Sequence, residues 1–225
     1  MSHKKPTKAK RRILIVDDHP LLREGVARLI NDQPDLMVCG EAEAPSAALA
    51  VADTAKPDLA VVDISLKDQS GLELIKDFKV RFPNLLVLAL SVHDESVYAE
   101  RALRAGARGY VMKREASDKV LEAIRSVLEG NVYISNKIAA GILDKVTGYP
   151  AGPARSALDV LSDRETEVLM WIGKGYGSNQ IAKQLHISVK TVEAHRANIK
   201  LKLNLSSSNE LLQCAIGWAQ QIGEI

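Results

Sequence analysis

In the first half of the chain, apolar residues come in short unbroken runs separated by longer stretches of helical periodicity. The runs are Ile13–Val16, Met37–Cys39, Leu59–Val62, Leu85–Leu90 and Tyr110–Met112. Four of them are rich in Val, Ile or Leu without strict alternation, the pattern of parallel strands covered on both faces. The stretches between suit helices over about residues 20–31, 45–55, 71–81, 95–104 and 116–129, punctuated by Gly71, Gly106, Gly130, Pro34, Pro57 and Pro83. Five strand–helix units predict an α/β domain built on a five-stranded, parallel, doubly wound sheet with right-handed crossovers. In such a sheet, ligands gather beyond the carboxyl ends of the strands.

The pattern changes after Gly130. Ser135 is placed to cap a short helix through Lys145, and Gly148, Pro150, Gly152 and Pro153 then cluster as an exposed linker does. From Leu158 the periodicity is helical throughout. Ser162 and Glu165 form a capping box ahead of an apolar stripe at Val168, Leu169 and Ile172, which Gly173, Gly175 and Gly177 bring to an end. Ser178 starts a short helix through Leu185, Ser188 caps the next, and Ser207 or Ser208 caps the last, through about Gln221. The expected organisation is a basic arm (1–12), an α/β domain (13–130), a linker with a short helix (131–157) and an all-α domain (158–225).

Composition narrows the class. With 225 residues, 46% of them hydrophobic and 26% charged, the chain is neither disordered nor fibrous. Cys39 and Cys214 are too few for a disulfide framework and lack zinc-site spacing, so two buried thiols in a reducing compartment are expected. The longest apolar run, Leu85–Leu90, has six residues, far below the roughly 20 that span a bilayer. The basic start meets only Ile13–Val16 before two aspartates, too little for a signal peptide. A cytoplasmic protein without a membrane partner is expected. The net charge of +2 hides a division: residues 1–12 carry +6, residues 13–130 carry −6, and residues 174–202 set six Lys/Arg against Glu193 alone. That last stretch suits a basic face meeting an anion such as nucleic acid, or an ordinary solvated helix face.

Asp17 and Asp18 follow the first strand directly and Asp63 ends the third. Neighbouring strand ends bring these carboxylates together, and hard oxygen ligands of this kind suit Mg²⁺. A carboxylate beside such an ion can attack phosphorus, because the ion neutralises incoming charge. Ser91 ends the fourth strand and offers a hydroxyl to a phosphoryl oxygen; Lys113, just past the fifth, offers a point charge. Any one such acid is commonly no more than a helix cap. Five suitable residues at the ends of four strands make a site.

Residues 12–130 resemble a response-regulator receiver domain through "ILIVDDHPLLREGV", "PDLAVVDISLKDQSGLELI", "VLALSVHD" and "AGARGYVMKREAS". The resemblance implies that Asp63 accepts a phosphoryl group from a sensor histidine kinase. It also implies that Asp18 ligates Mg²⁺ directly, that Asp17 acts largely through water, and that the Ser65 carbonyl completes the protein ligands. Ser91 is then the switch hydroxyl, Tyr110 the switch aromatic and Lys113 the phosphate-pairing lysine. The family's frequent Met-Pro after the acceptor strand is Leu66-Lys67 here. His19 and His93 are expected to be exposed and not catalytic.

Residues 178–202 read as two helices joined by a turn at His186-Ile187, a helix-turn-helix candidate or a plain helical domain that docks a protein. Val192, Ile199 and Leu203 are spaced to face inward, leaving Lys190, Glu193, Ala194 and Ala197 on the opposite side. Small residues allow close approach to a major groove, and Glu193 can accept from a cytosine amino group. Lys190, Thr191, Arg196 and Lys200 are placed for phosphates. The stretch "LSDRETEVLMWIGKGYGSNQIAKQLHISVKTVEAHRANIKLKLNL" is similar to the DNA-binding domain of the LuxR and NarL/FixJ regulators. That similarity implies base-facing roles for Glu193, Ala194 and Ala197, with Glu193 less usual there than lysine. It further implies dimers whose last helix makes part of the contact, and a near-palindromic promoter site. His195 either packs inward or touches DNA.

The reading is a phosphorylation-controlled transcriptional regulator, not an enzyme, with RNA polymerase as a further candidate partner. The alternatives are a Mg²⁺-dependent phosphohydrolase, for which no second general acid is evident, and a DNA-binding protein whose receiver acts as a phosphate-independent dimerisation module.

Overall fold

The computed structural model describes residues 9–66, 70–115, 117–147, 160–185 and 187–221. The expectations for residues 1–8, for Lys67, Ala116 and His186, and for the Gly/Pro-rich stretch 148–157 lie outside the described residues. The chain divides into two compact units. One runs to Val92 and resumes over Arg101–Tyr133; the other comprises His93–Glu100 and the residues from Ile134 onward.

The first unit is built on strands β1 (Arg11–Val16), β2 (Leu36–Ala42), β3 (Leu59–Asp63), β4 (Leu86–Ser91) and β5 (Gly109–Met112). Between them run α1 (Pro20–Asn31), α2 (Pro45–Ala55), α3 (Gly71–Arg81) and α4 (Glu95–Ala105), whose residues up to Glu100 group with the second unit, and α5 (Ser117–Leu128) follows β5. All pairings are parallel in the order β2-β1-β3-β4-β5, which sets the acidic ends of β1 and β3 side by side. The unbroken apolar runs are explained by two-sided cover: every residue of β3 is buried. Ile13, Ile15, Val61, Leu88 and Leu90 pack with Ile30 of α1 and with Ile124 and Val127 of α5. Proline opens both α1 and α2, where its missing N–H costs nothing.

Two stretches differ from the sequence reading. Arg11 and Arg12, assigned to the basic arm, form the start of β1. Asp58 holds them there: its Oδ2 accepts the Arg12 N–H at 2.8 Å and its Oδ1 lies 3.2 Å from the Arg11 guanidinium. Tyr133, assigned to the linker, pairs with the edge of β5. The Tyr110 N–H donates to the Tyr133 carbonyl at 2.9 Å and the Tyr133 N–H donates to the Arg108 carbonyl at 3.0 Å. Cys39 and Cys214 are free thiols that are half-buried, where full burial was expected. Among the described residues no helix is long and apolar enough to cross a membrane.

The second unit contains α6 (Asn136–Val146), α7 (Asp163–Gly173), α8 (Ser178–Gln184), α9 (Val189–Lys202) and α10 (Ser208–Gln221). Ser135, Ser162, Ser188 and Ser207 accept the first free N–H groups of four of these helices, as their positions predict. The α7 capping box is complete, with Glu165 Oε2 accepting the Ser162 N–H at 2.7 Å. α7 lies at the centre of the unit, packed on α9 and α10. The predicted stripe at Val168, Leu169 and Ile172 is buried, and so are Glu165, Thr166 and Glu167. Each of these three polar residues has a partner close by. Lys202 from α9 reaches Glu165 at 2.6 Å, Arg164 reaches Glu167 at 2.7 Å, and the Thr166 hydroxyl donates to the Ser162 carbonyl at 3.0 Å.

Burial works against the Glu165 carboxylate, but Lys202 and the Ser162 donors outweigh it and hold its pKa below the ordinary value. A depressed carboxylate pKa stabilises the fold above the unfolded value, about 4.3, and loses that stability as pH falls through the folded value. Glu165→Ala is expected to destabilise the helical unit by about 1–2 kcal/mol at pH 7, since it removes half of the capping box and an ion pair. The gap from wild type is expected to close below about pH 4. Both tryptophans of the chain, Trp171 and Trp218, lie in this unit, so urea unfolding followed by tryptophan fluorescence measures it selectively.

Candidate functional site

The sheet order converts chain direction into a site. Asp17 and Asp18 open the turn after β1, and Asp63 is the last residue of β3. All three carboxylates are buried, at 2%, 3% and 1% exposure. With His19 they bring ligand atoms within 4.8 Å of one another. Lys113, just past β5, places its ammonium 2.7 Å from Asp63 Oδ2 and 2.8 Å from Asp17 Oδ2. Asp63 Oδ1 accepts the Ser65 N–H at 3.0 Å, and Asp17 Oδ1 accepts the His19 N–H at 2.8 Å. Asp17, Asp18, Asp63, Ser65 and Lys113 thus come together at the ends of β1, β3 and β5. Ser91, fully buried at the end of β4, and Tyr110, buried on β5, lie on the two strands beyond.

The charges do not balance. Burial raises the Asp63 pKa, Lys113 opposes that, and the Asp17 carboxylate raises it further. Burial also works against the Lys113 ammonium, but Asp63 and Asp17 outweigh it and raise its pKa. One ammonium faces three acids, and Asp17 Oδ2 and Asp18 Oδ1 accept no well-aligned hydrogen bond. Carboxylate oxygens gathered in a buried, net-negative cluster are the donor set of a hard divalent cation, so these residues fit Mg²⁺.

In the helical unit, α8 and α9 form a packed pair. Val192 and Ile199 face inward, and Leu203 is half-buried. Lys190, Thr191, Glu193, Ala194 and Ala197 are exposed, while Arg196 and Lys200 are half-buried on the flanks. The Thr191 hydroxyl lies 2.7 Å from that of Ser188. Glu193 accepts the hydroxyl of Ser178, and its Oε2 lies 3.9 Å from Arg196 Nε. His195 is half-buried, and burial lowers its pKa.

Residues 13–125 match the family described as response regulator receiver domain, and residues 159–215 match the bacterial regulatory proteins of the luxR family. The oxygen regulatory protein NreC of Staphylococcus carnosus is 35% identical over 209 residues, 91% of this chain and 96% of its own length. The transcriptional regulatory protein DegU of Brevibacillus brevis is 32% identical over 94% of this chain and 96% of its own. This chain belongs to the LuxR-family response regulators. Among solved structures, RcsB of Salmonella enterica serovar Typhimurium, bound to the rprA promoter in the presence of BeF₃⁻, matches with a TM-score of 0.59. It is 25% identical and covers 92% of this chain and 98% of its own.

Three features of this response regulator were not legible in its sequence. Arg23, one turn into α1, donates to the Asp17 carbonyl at 2.6 Å and lies 3.3 Å from Glu41, which pins the β1–α1 turn. His19 is exposed as expected, yet its Nδ1 lies 2.9 Å from Asp18 Oδ1. His93, expected at the surface, is buried with its ring stacked on Tyr98 at 4.6 Å, because an imidazole face packs well on an aromatic ring. A contiguous loop reading cannot see any of these partners.

Gly71 carries a further constraint. Its N–H donates to the Ile64 carbonyl at 2.8 Å, and a Cβ there would collide with the Asp63 carbonyl oxygen and approach Ile64 Cα to 2.8 Å. The absent side chain lets α3 sit against the backbone that carries Asp63. Gly71→Ala is expected to shift that backbone, costing about 1–3 kcal/mol. Hydrogen exchange at the Asp63–Ser65 amides is expected to rise in the variant, while tryptophan-monitored stability of the helical unit stays unchanged.

Proposed function

We propose that Asp63 is the phosphoryl acceptor of a two-component pathway and that its phosphorylation controls binding of promoter DNA by α8 and α9. The observation that carries the reading is the pairing of Lys113 with Asp63 and Asp17 inside a buried cluster still short of positive charge. Such a cluster is built to receive a cation and an anionic group together. Asp17, Asp18, Asp63 and the Ser65 carbonyl would hold Mg²⁺, which would supply positive charge to the phosphoryl oxygens. A carboxylate oxygen of Asp63 attacks the phosphorus of a histidine-kinase phosphodonor, forming the O–P bond as the donor's N–P bond breaks. Lys113 pairs with one phosphoryl oxygen and the Ser91 hydroxyl donates to another. Tyr110, buried on the neighbouring strand, fills the space that Ser91 leaves, so added charge becomes a change in packing.

On the helical side, Lys190, Thr191, Arg196 and Lys200 meet phosphates, and Glu193, Ala194 and Ala197 face base edges. Residues 13–130 act as the receiver and residues 158–225 as the DNA-binding domain of a cytoplasmic regulator. The active species is a homodimer on a near-palindromic promoter site, with α10 contributing to the contact.

With acetyl phosphate and Mg²⁺, intact mass is expected to show one added phosphoryl group on wild type and none on Asp63→Asn at unchanged circular dichroism. An equal adduct on both proteins would remove Asp63 as the acceptor. Charge reversal at Lys190 or Lys200 is expected to weaken DNA binding across all sequences. It is also expected to lower the slope of log K against log salt by about one unit per lost phosphate contact. A fluorescence-anisotropy salt titration reads both.

A further inference from the structure

The geometry points to Ser178 as a positioning residue for sequence readout: its hydroxyl holds the Glu193 carboxylate in the orientation that meets a base edge. This rests on the DNA-binding reading above and deepens it by naming what fixes the one acidic side chain on α9.

Glu193 is an unusual group to bring to DNA. It is the sole acid of α9, and its side chain is 58% exposed. A carboxylate near phosphates is repelled unless it lands on a donor, and the donor that suits it in the major groove is the cytosine N4 amino group. A free glutamate spreads over many rotamers, most of them pointing at nothing useful. Here two restraints act on the two oxygens. Ser178, at the first position of α8, donates to Oε1, and Arg196, one turn along α9, lies 3.9 Å from Oε2. The platform beneath is fixed, since Ile181 and Ala182 of α8 and Val192 of α9 are buried. The neighbours Ala194 and Ala197 bring no polar group that competes for the carboxylate.

Proton accounting separates this role from a plain backbone contact. A serine hydroxyl has one hydrogen to donate. Given to Glu193, that hydrogen is not available to a phosphate oxygen. Ser178 then acts through Glu193, and its removal affects discrimination at one base pair rather than affinity for DNA in general.

The test selects binding sites from a duplex library with about 20 randomised base pairs, enough for two half-sites one helical turn apart. The full chain is used after treatment with acetyl phosphate and Mg²⁺, as wild type, Ser178→Ala, Ser178→Thr, Glu193→Ala and the Ser178→Ala/Glu193→Ala double variant. Wild type is expected to select a C·G pair at one position of each half-site. Ser178→Ala is expected to reduce that preference about three- to tenfold while other positions and the salt slope stay unchanged. Ser178→Thr, which keeps the hydroxyl, is expected to retain it. Glu193→Ala is expected to abolish it, with no further loss in the double variant. Uniform weakening by Ser178→Ala with a lower salt slope, or the same loss in the Glu193→Ala background, would identify a phosphate contact and overturn the proposal. Unchanged preferences in Glu193→Ala would overturn it while leaving DNA binding intact. A wild-type selection that enriches no sequence would overturn the DNA-binding reading itself.

Discussion

Lys113 is the hinge of the receiver's electrostatics. Its ammonium lies within 2.8 Å of two buried carboxylates that belong to different strands. At an effective dielectric near 20, an opposite-charge pair at 4 Å is worth about 4 kcal/mol, while desolvating each ion costs several. One ammonium therefore supports one buried carboxylate comfortably, supports two under strain, and does not support three. The sheet nevertheless delivers three, because β1 and β3 are neighbours, β3 ends in Asp63, and Asp17 and Asp18 directly follow β1. The apolar packing of the sheet enforces a local arrangement that the local charges would not choose. Such a site is preorganised for positive charge and for an anion that brings its own.

The helical unit meets the same problem with the opposite outcome. Glu165 and Glu167 are as buried as the receiver acids, but each has its own cation, and Glu165 also accepts the Ser162 N–H at the helix start. The contrast between the acid clusters lies in charge balance rather than burial. A charge-balanced acid orients α7 against α9, whereas an unbalanced cluster marks chemistry.

What the sequence made legible follows the range of the interaction. Strands, helices and serine caps depend on neighbours a few residues away, and their positions were predicted to within a few residues. Asp17, Asp18, Asp63, Ser91 and Lys113 converge through a rule about strand ends, so chain direction alone brings them together. The remaining partners are set by side-chain reach across the fold. Arg23 to the Asp17 carbonyl, His93 on Tyr98, Tyr133 on the edge of β5 and Ser178 to Glu193 have no periodic or spacing signal. Arg11 and Arg12 misled for a related reason. Their charge reads as a solvated arm, while the acceptor that draws them into β1, Asp58, lies 46 residues from Arg12.

The position of Tyr110 limits how an added phosphoryl group can be felt. Its backbone is held on one side by the β4 ladder, where Ala89 is its partner, and on the other by the Tyr133 carbonyl. A strand pinned along both edges does not slide for one new charge, because moving it breaks hydrogen bonds on both sides at once. The response on the proposed reading is then carried by side chains: the Ser91 hydroxyl, the Lys113 ammonium and the Tyr110 ring. Tyr133 belongs to the chain leaving the receiver, so the strand that carries Tyr110 and the start of the departing segment share one hydrogen-bonded edge. On the same proposed reading, a side-chain rearrangement at Tyr110 takes place against the backbone that the departing chain is bound to, and no displacement of the sheet is needed for the departing segment to sense it.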